Sequence, residues 1–252
     1  MFVSFIAVLL FLSSCNGVDE LASGPRNCKE VLKNGGTTSG TYQIQTSKGP
    51  RQVMCDQTTE GGGWTVIQQR YNGKLSFHDK TWKEYKDGFG QVDLLQNFYL
   101  GNDLISEISQ QAKIDPFLRI ELTGDRNPGS KHAKDFYWGE YYFRLADEST
   151  DYTPKVYMNW PNTIGNLSTG WYDFTYSNGV KFSTIDRIND PMPECITDYH
   201  LSGWWTHYCG LCSLNGEYVP KRWGDGYGLF YTIYGEYIIN PVKTKMMLRD
   251  RD

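Results

Sequence analysis

Three of the six cysteines in this chain fall between residues 186 and 216, in the stretch DRINDPMPECITDYHLSGWWTHYCGLCSLNG. Their oxidation state decides what that stretch can fold into, and the other end of the chain supplies the compartment. Residues 1–17, MFVSFIAVLLFLSSCNG, read as a secretory leader. The apolar run 2–12 is too short to cross a bilayer, and small polar residues follow it. Cleavage after Gly17 removes Cys15 and leaves Cys28, Cys55, Cys195, Cys209 and Cys212. In an oxidising, extracellular setting these are expected to pair, with one left over.

No later run reaches the length of a membrane span. Residues 18–26 form a short stub without heptads or a Gly-X-Y period, so no stalk is expected there. The remainder is long enough for one sizeable domain or a pair of intimate subdomains. A net charge of −4 gives no electrostatic case for nucleic acid or an anionic membrane. The 8 Trp, 18 Tyr and 12 Phe suit loop-rich cores and binding surfaces alike, because Tyr and Trp bury a large apolar face and keep one polar group.

The patterning predicts short strands and few helices. One or two helical turns are expected over 28–33. GTYQIQ (40–45) and RQVMC (51–55) read as a strand pair around a Lys48-Gly49-Pro50 turn, and WTVIQQ (64–69) as a strong strand. Trp82, Tyr85 and Phe89 share a helix face in 77–89, and 104–112 predicts an amphipathic helix. FLRIEL (117–122) alternates like a strand, and 134–145 reads as two strands meeting at Gly139. Residues 159–183 read as loop and hold the sequon Asn166-Leu167-Ser168, where a glycan is expected. LFYTIY (229–234) and 242–248 close the chain as β structure. The class is α+β.

These pieces resemble, in order, the fibrinogen C-terminal domain family, which includes ficolins, tachylectins, tenascins and angiopoietins. The matches are Asn27-Cys28, SGTYQI (39–44), VMCD (53–56), GGWTVIQQR (62–70), Trp82, YKDGFG (85–90), LRIEL (118–122), FST (182–184), GWW (203–205), Cys209, LNGEY (214–218) and KMM (245–247). FYLGN (98–102) also matches, with Tyr99 where the family mostly has Trp. The resemblance covers residues 27–250 as one domain. It implies a disulfide-tied N-terminal subdomain, a central mixed, largely antiparallel sheet with flanking helices, and a loop-rich C-terminal subdomain. It also implies Cys28–Cys55 and Cys195–Cys209 bridges, which leaves Cys212 as the unpaired thiol. Trp204 and Trp205 match core positions of the family.

The resemblance further implies a calcium site just before the third cysteine. Asp190 matches its second main carboxylate, but Ile188 stands in place of the first, so a degenerate site with Asp186 and Asp190 is expected. No other cofactor is implied. In lectin-like relatives a ligand pocket lies beside the second bridge. The corresponding candidates are Glu194, Cys195, Asp198, Tyr199, His200, Tyr208 and Tyr227. A zinc reading of His200, His207, Cys209 and Cys212 conflicts with a bridge at Cys209. No GxSxG, HExxH or paired-carboxylate motif is present, so no enzyme is expected. The expected function is recognition of extracellular glycans or acetylated groups in the manner of innate pattern recognition. The alternative is a signalling or matrix ligand that binds a cell-surface or matrix protein.

Overall fold

The computed structural model describes residues 24–158, 164–167 and 173–251. The expected leader, residues 18–23 and Ser168 of the sequon lie outside the described residues. In chain order the elements are α1 (Cys28–Lys33), β1 (Gly40–Thr46), β2 (Gly49–Asp56), β3 (Trp64–Arg70), α2 (Trp82–Asp87), β4 (Phe89–Gly90), β5 (Phe98–Tyr99), α3 (Asn102–Gln111), β6 (Phe117–Thr123), β7 (Phe136–Leu145), β8 (Pro154–Tyr157), β9 (Ile164–Gly165), α4 (Glu194–Thr197), β10 (Cys212–Ser213), β11 (Phe230–Ile233), β12 (Tyr237–Ile239) and β13 (Lys243–Arg249). The α+β expectation holds.

The main sheet runs β1-β2-β3-β13-β6-β7-β8, with each pair antiparallel. The chain's last strand therefore lies in its middle, between β3 and β6. The alternation of β13 explains why it fits there. Met246 and Leu248 join Ile67, Leu118, Ile120 and Leu122 in the large core, while Met247 packs on the opposite face with Met54, Trp64, Val66 and Phe98. Buried Thr244 donates its hydroxyl to Gln68 Oε1 at 3.0 Å, so the polar residue of the inner row is satisfied.

Three local expectations are corrected. Thr46 pairs with Gly49, so Gly49 and Pro50 already belong to β2 and the turn is Ser47-Lys48. Phe89 is not on the helix with Trp82 and Tyr85. The helix stops at Asp87, Gly88 takes φ +91°, and Phe89 enters β4. Residues 136–145 are one strand rather than two. Gly139 continues the ladder opposite Ile120, and β9 pairs alongside it. Its missing side chain gives room to Leu167, whose Cβ would lie 3.1 Å from a Cβ at 139.

α2 starts on a capping box in which the Thr81 hydroxyl accepts from the Glu84 N–H and the Glu84 carboxylate accepts from the Thr81 N–H. Trp204 and Trp205 are core residues, at 0% and 2% exposure. The Trp205 indole N–H donates to the Tyr152 carbonyl at 2.7 Å. Their rings meet Phe174, Phe182 and each other at edge-on or tilted angles. Both implied bridges are formed, Cys28–Cys55 with Cα atoms 5.3 Å apart and Cys195–Cys209 with 5.0 Å.

On the sheet's other face Lys245 bridges Asp56 at 2.9 Å and Glu121 at 2.8 Å. Burial alone would raise the Asp56 pKa, but Lys245 and the Thr59 N–H and hydroxyl outweigh it and hold the carboxyl well below the usual range. A depressed folded pKa stabilises the fold above the unfolded value of about 4, and that stabilisation is lost as pH falls toward the folded value. The melting temperature is therefore expected to fall steadily below about pH 4. Asp56→Asn should start lower at neutral pH and show a shallower acid slope. Equal slopes for the two proteins would remove Asp56 from the acid transition.

Candidate functional site

The second disulfide organises the C-terminal part of the molecule. α4 is a single turn, so Cys195 sits fully buried at its start while Glu194, Thr197 and Asp198 stay exposed. Tyr208, Cys209 and Gly210 all take left-handed backbone, with φ of +49°, +66° and +77°. Two non-glycine residues in that region are strained, so surrounding bonds must hold them. Asp190 supplies those bonds. Its carboxylate is 5% exposed and accepts from the Met192 N–H at 2.9 Å, the Tyr208 N–H at 3.0 Å and the Cys209 N–H at 3.2 Å. The loop thus presents a small nest of N–H groups, filled by the chain's own anion.

This geometry places the two residues expected at a calcium site. Asp190 caps the nest. Asp186 Oδ1 accepts from the Trp82 N–H at 2.7 Å and the Thr184 hydroxyl at 2.8 Å, which ties residues 184–186 to the start of α2. Both carboxylates serve protein donors, and the two are not brought together with a third His, Cys, Asp or Glu among the described residues.

Beside the bridge is a cleft of about 560 Å³ lined by Met192, Glu194, Thr197, Asp198, Tyr199, His200, Lys221 and Tyr227. It gathers Glu194, Asp198, Tyr199, His200 and Tyr227 from the sequence candidates. Cys195 lies buried beside it. Tyr208 does not line it: left-handed backbone carries this residue out to 62% exposure, where its ring meets His207 edge-on. Sequence reasoning missed Lys221, Met192 and Thr197, which carry no motif.

Tyr199 and Tyr227 stack with centroids 4.3 Å apart and planes 14° from parallel. Hydrogen bonding to Tyr227 raises the Tyr199 pKa, so the phenol stays neutral at physiological pH. The main chain clamps this wall, because Gly228 N–H donates to the Tyr199 carbonyl at 2.8 Å and Glu217 N–H to the His200 carbonyl at 3.0 Å. The Glu194 and Asp198 carboxylates form no ion pair among the described residues, and Lys221 is the one cation lining the cleft. The site therefore offers a flat aromatic wall and two free carboxylates. In a larger cleft of about 700 Å³ near α3, the lining lysines are already paired, Lys48 with Asp103 and Lys86 with Glu148.

The model of the fibrinogen beta and gamma chains' C-terminal globular domain matches residues 24–251, the full span of the described structure. This chain belongs to the fibrinogen C-terminal domain family. It is 34% identical to the human fibrinogen alpha chain over 77% of its length and 22% of that protein. It is 32% identical to mouse angiopoietin-2 over 90% of its length and 43% of that protein. The chain thus spans less than half of these relatives. Among solved structures, lamprey fibrin D-dimer in complex with the peptide Gly-His-Arg-Pro-amide superposes with a TM-score of 0.75 at 28% identity, covering 90% of this chain and 74% of that one. The family assignment agrees with the sheet order, the two bridges and the buried tryptophan pair. No described helix is long and apolar enough to cross a membrane.

Within this family domain Cys212 stands apart. It is the free cysteine among the described residues, in β10 opposite Tyr231, and is 2% exposed. Burial, and then the nearby Asp173 charge, push its thiol well above the ordinary range. The zinc set of His200, His207, Cys209 and Cys212 is not assembled, since Cys209 is in the bridge and Cys212 is in the core. Iodoacetamide is expected to leave Cys212 unlabelled in the folded protein and to label it fully in denaturant. Rapid native-state labelling would contradict the burial. Asn166 is exposed in the loop after β9, with its side-chain oxygen accepting from the Trp138 N–H at 2.8 Å.

Proposed function

We propose that this protein is a secreted, non-enzymatic recognition domain whose cleft binds a cationic, peptide-like group of an extracellular protein. The observation that carries this reading is the pair of unpaired carboxylates, Glu194 and Asp198, around the Tyr199–Tyr227 stack. A guanidinium or terminal ammonium would gain charge-assisted hydrogen bonds there and an aromatic face to lie on. The Arg-containing peptide in the lamprey fibrin structure supports the same chemistry. The exposed Asn166 would carry the glycan of a secreted protein.

A second reading, recognition of a glycan or acetylated group, draws on the tyrosine wall alone, since a sugar ring or acetyl group packs on aromatic faces without needing carboxylates. Calorimetric titration with Gly-His-Arg-Pro-amide and with N-acetylglucosamine separates the two. Saturable peptide binding is expected, weakened about tenfold or more by Glu194→Gln combined with Asp198→Asn, because a hydrogen bond to a charged group is worth about 1.5–3 kcal/mol. Sugar binding that survives the double substitution, with no peptide binding, would replace the first reading by the second. We further propose that calcium is dispensable, because Asp186 and Asp190 already serve main-chain donors. Calcium at about 1 mM should change neither affinity nor melting temperature. A rise of several degrees, on the order of a ligand near saturation, would refute this.

A further inference from the structure

We propose that His78, His200 and Glu217 form a binding site for a divalent cation of the zinc class. The three residues come from distant segments: the loop after β3, the loop after α4 and the loop after β10. One nitrogen of each imidazole and one carboxylate oxygen all lie within 4.8 Å of one another. Ligand atoms on a tetrahedral zinc ion sit roughly 3.3 Å apart, given bonds of about 2.0–2.2 Å, so modest side-chain rotation brings them into register. All three are partly exposed, which leaves an entry path and a fourth position for water.

The donor set selects among metals. Two imidazoles and one carboxylate suit zinc, copper or nickel, whereas calcium needs six or more oxygens. The surroundings already orient the ligands. Ser76 Oγ lies 3.2 Å from His78 Nδ1, which leaves Nε2 of that ring for an ion. His200 Nδ1 lies 2.8 Å from Glu217 Oε2, and the two imidazoles stack at 5.2 Å and 16°. His200 holds a left-handed φ of +56°, fixed by the Glu217 N–H on its own carbonyl. Backbone in this region clusters at functional sites. The buried Arg70 guanidinium opposes a cation from behind, but it is engaged by the Gly216 carbonyl at 2.5 Å and the Phe77 ring at 4.5 Å. The Glu217 and Asp79 carboxylates offset it.

The trio shares His200 with the cleft but does not rest on the peptide reading, because His78 and Glu217 lie outside the cleft lining and zinc is measured without any peptide. Calorimetric zinc titration of the chelator-stripped protein should give one ion per chain. His78→Gln and His200→Gln should each weaken it about tenfold or more, while His132→Gln, elsewhere on the surface, should leave it unchanged. Calcium at about 1 mM should not displace the zinc. Cobalt(II) bound to the native chain should show visible d–d absorption of a low-coordinate nitrogen and oxygen site, a readout that needs no variant. The proposal is overturned by absent saturable uptake, by uptake that the His78 and His200 variants leave intact, by displacement with calcium, or by six-coordinate cobalt spectra.

Discussion

Replacing Gly203 by alanine is expected to cost about 4 kcal/mol and to lower the melting temperature by about 10 °C. Two separate effects contribute. Gly203 has φ +78°, where an L side chain is strained. A Cβ built there would also lie 1.9 Å from the Tyr85 hydroxyl oxygen and 2.1 Å from Cζ. Tyr85 has nowhere to go. It is fully buried, its hydroxyl donates to the Phe77 carbonyl at 2.9 Å, and Phe89, Tyr99 and Phe182 pack edge-on at 5.1, 4.9 and 5.2 Å. Tyr85→Phe should fail to rescue the variant, because the ring carbon overlaps as badly as the oxygen. Urea denaturation of the single and double variants tests this. A loss below about 1 kcal/mol would mean that the 203–205 segment shifts as a unit, and the account of a rigid tryptophan core would be wrong.

The second large effect is expected at the Cys195–Cys209 bridge. Replacing both cysteines by serine should cost about 3 kcal/mol, from the loop-closure entropy returned to the unfolded chain. It should also abolish cleft binding, since Glu194 and Asp198 are positioned by the one-turn helix that begins beside Cys195. Asp190→Ala should approach the same loss by a different route, leaving the N–H groups of Met192, Tyr208 and Cys209 without their acceptor. Because both changes act on one loop, the triple variant should lose less than the sum of the two. Denaturation curves with the binding titration check this. Full binding by the double-serine protein would show that Asp190 alone sets the loop.

The sheet was legible in the sequence where alternation was strong. β6 places Leu118, Ile120 and Leu122 at every second position, β3 and β13 carry short apolar runs of β-prone residues, and the bounds of all three differ from expectation by a residue or so. Glycine was read less well, because its effect depends on what approaches it. Gly139 resembles a break but is a point of close packing against Leu167, information held some thirty residues away in the chain. The cleft was largely legible through the family resemblance, since its walls follow the third cysteine closely. Tyr208 was misplaced because its direction is set by a left-handed run that Asp190 stabilises, a contact across 18 residues. The grouping of His78 with His200 and Glu217 has no sequence signal, because only the packing of three loops makes them neighbours.

The central position of β13 has a consequence for how the molecule is made. During synthesis the halves carrying β1–β3 and β6–β8 emerge first, each with an open edge where residues 243–249 will later insert. Two unpaired edges separated by a missing strand invite pairing with other nascent chains. The sheet closes only once residues 243–249 have been made, through contacts that span most of the described residues and are therefore slow to form. Until then the N-terminal bridge, which joins Cys28 to Cys55 within the first half, is the cross-link that can already hold native pairing. Wherever the protein is made under oxidising conditions, its yield should thus depend on oxidation of that first pair keeping ahead of edge-to-edge association.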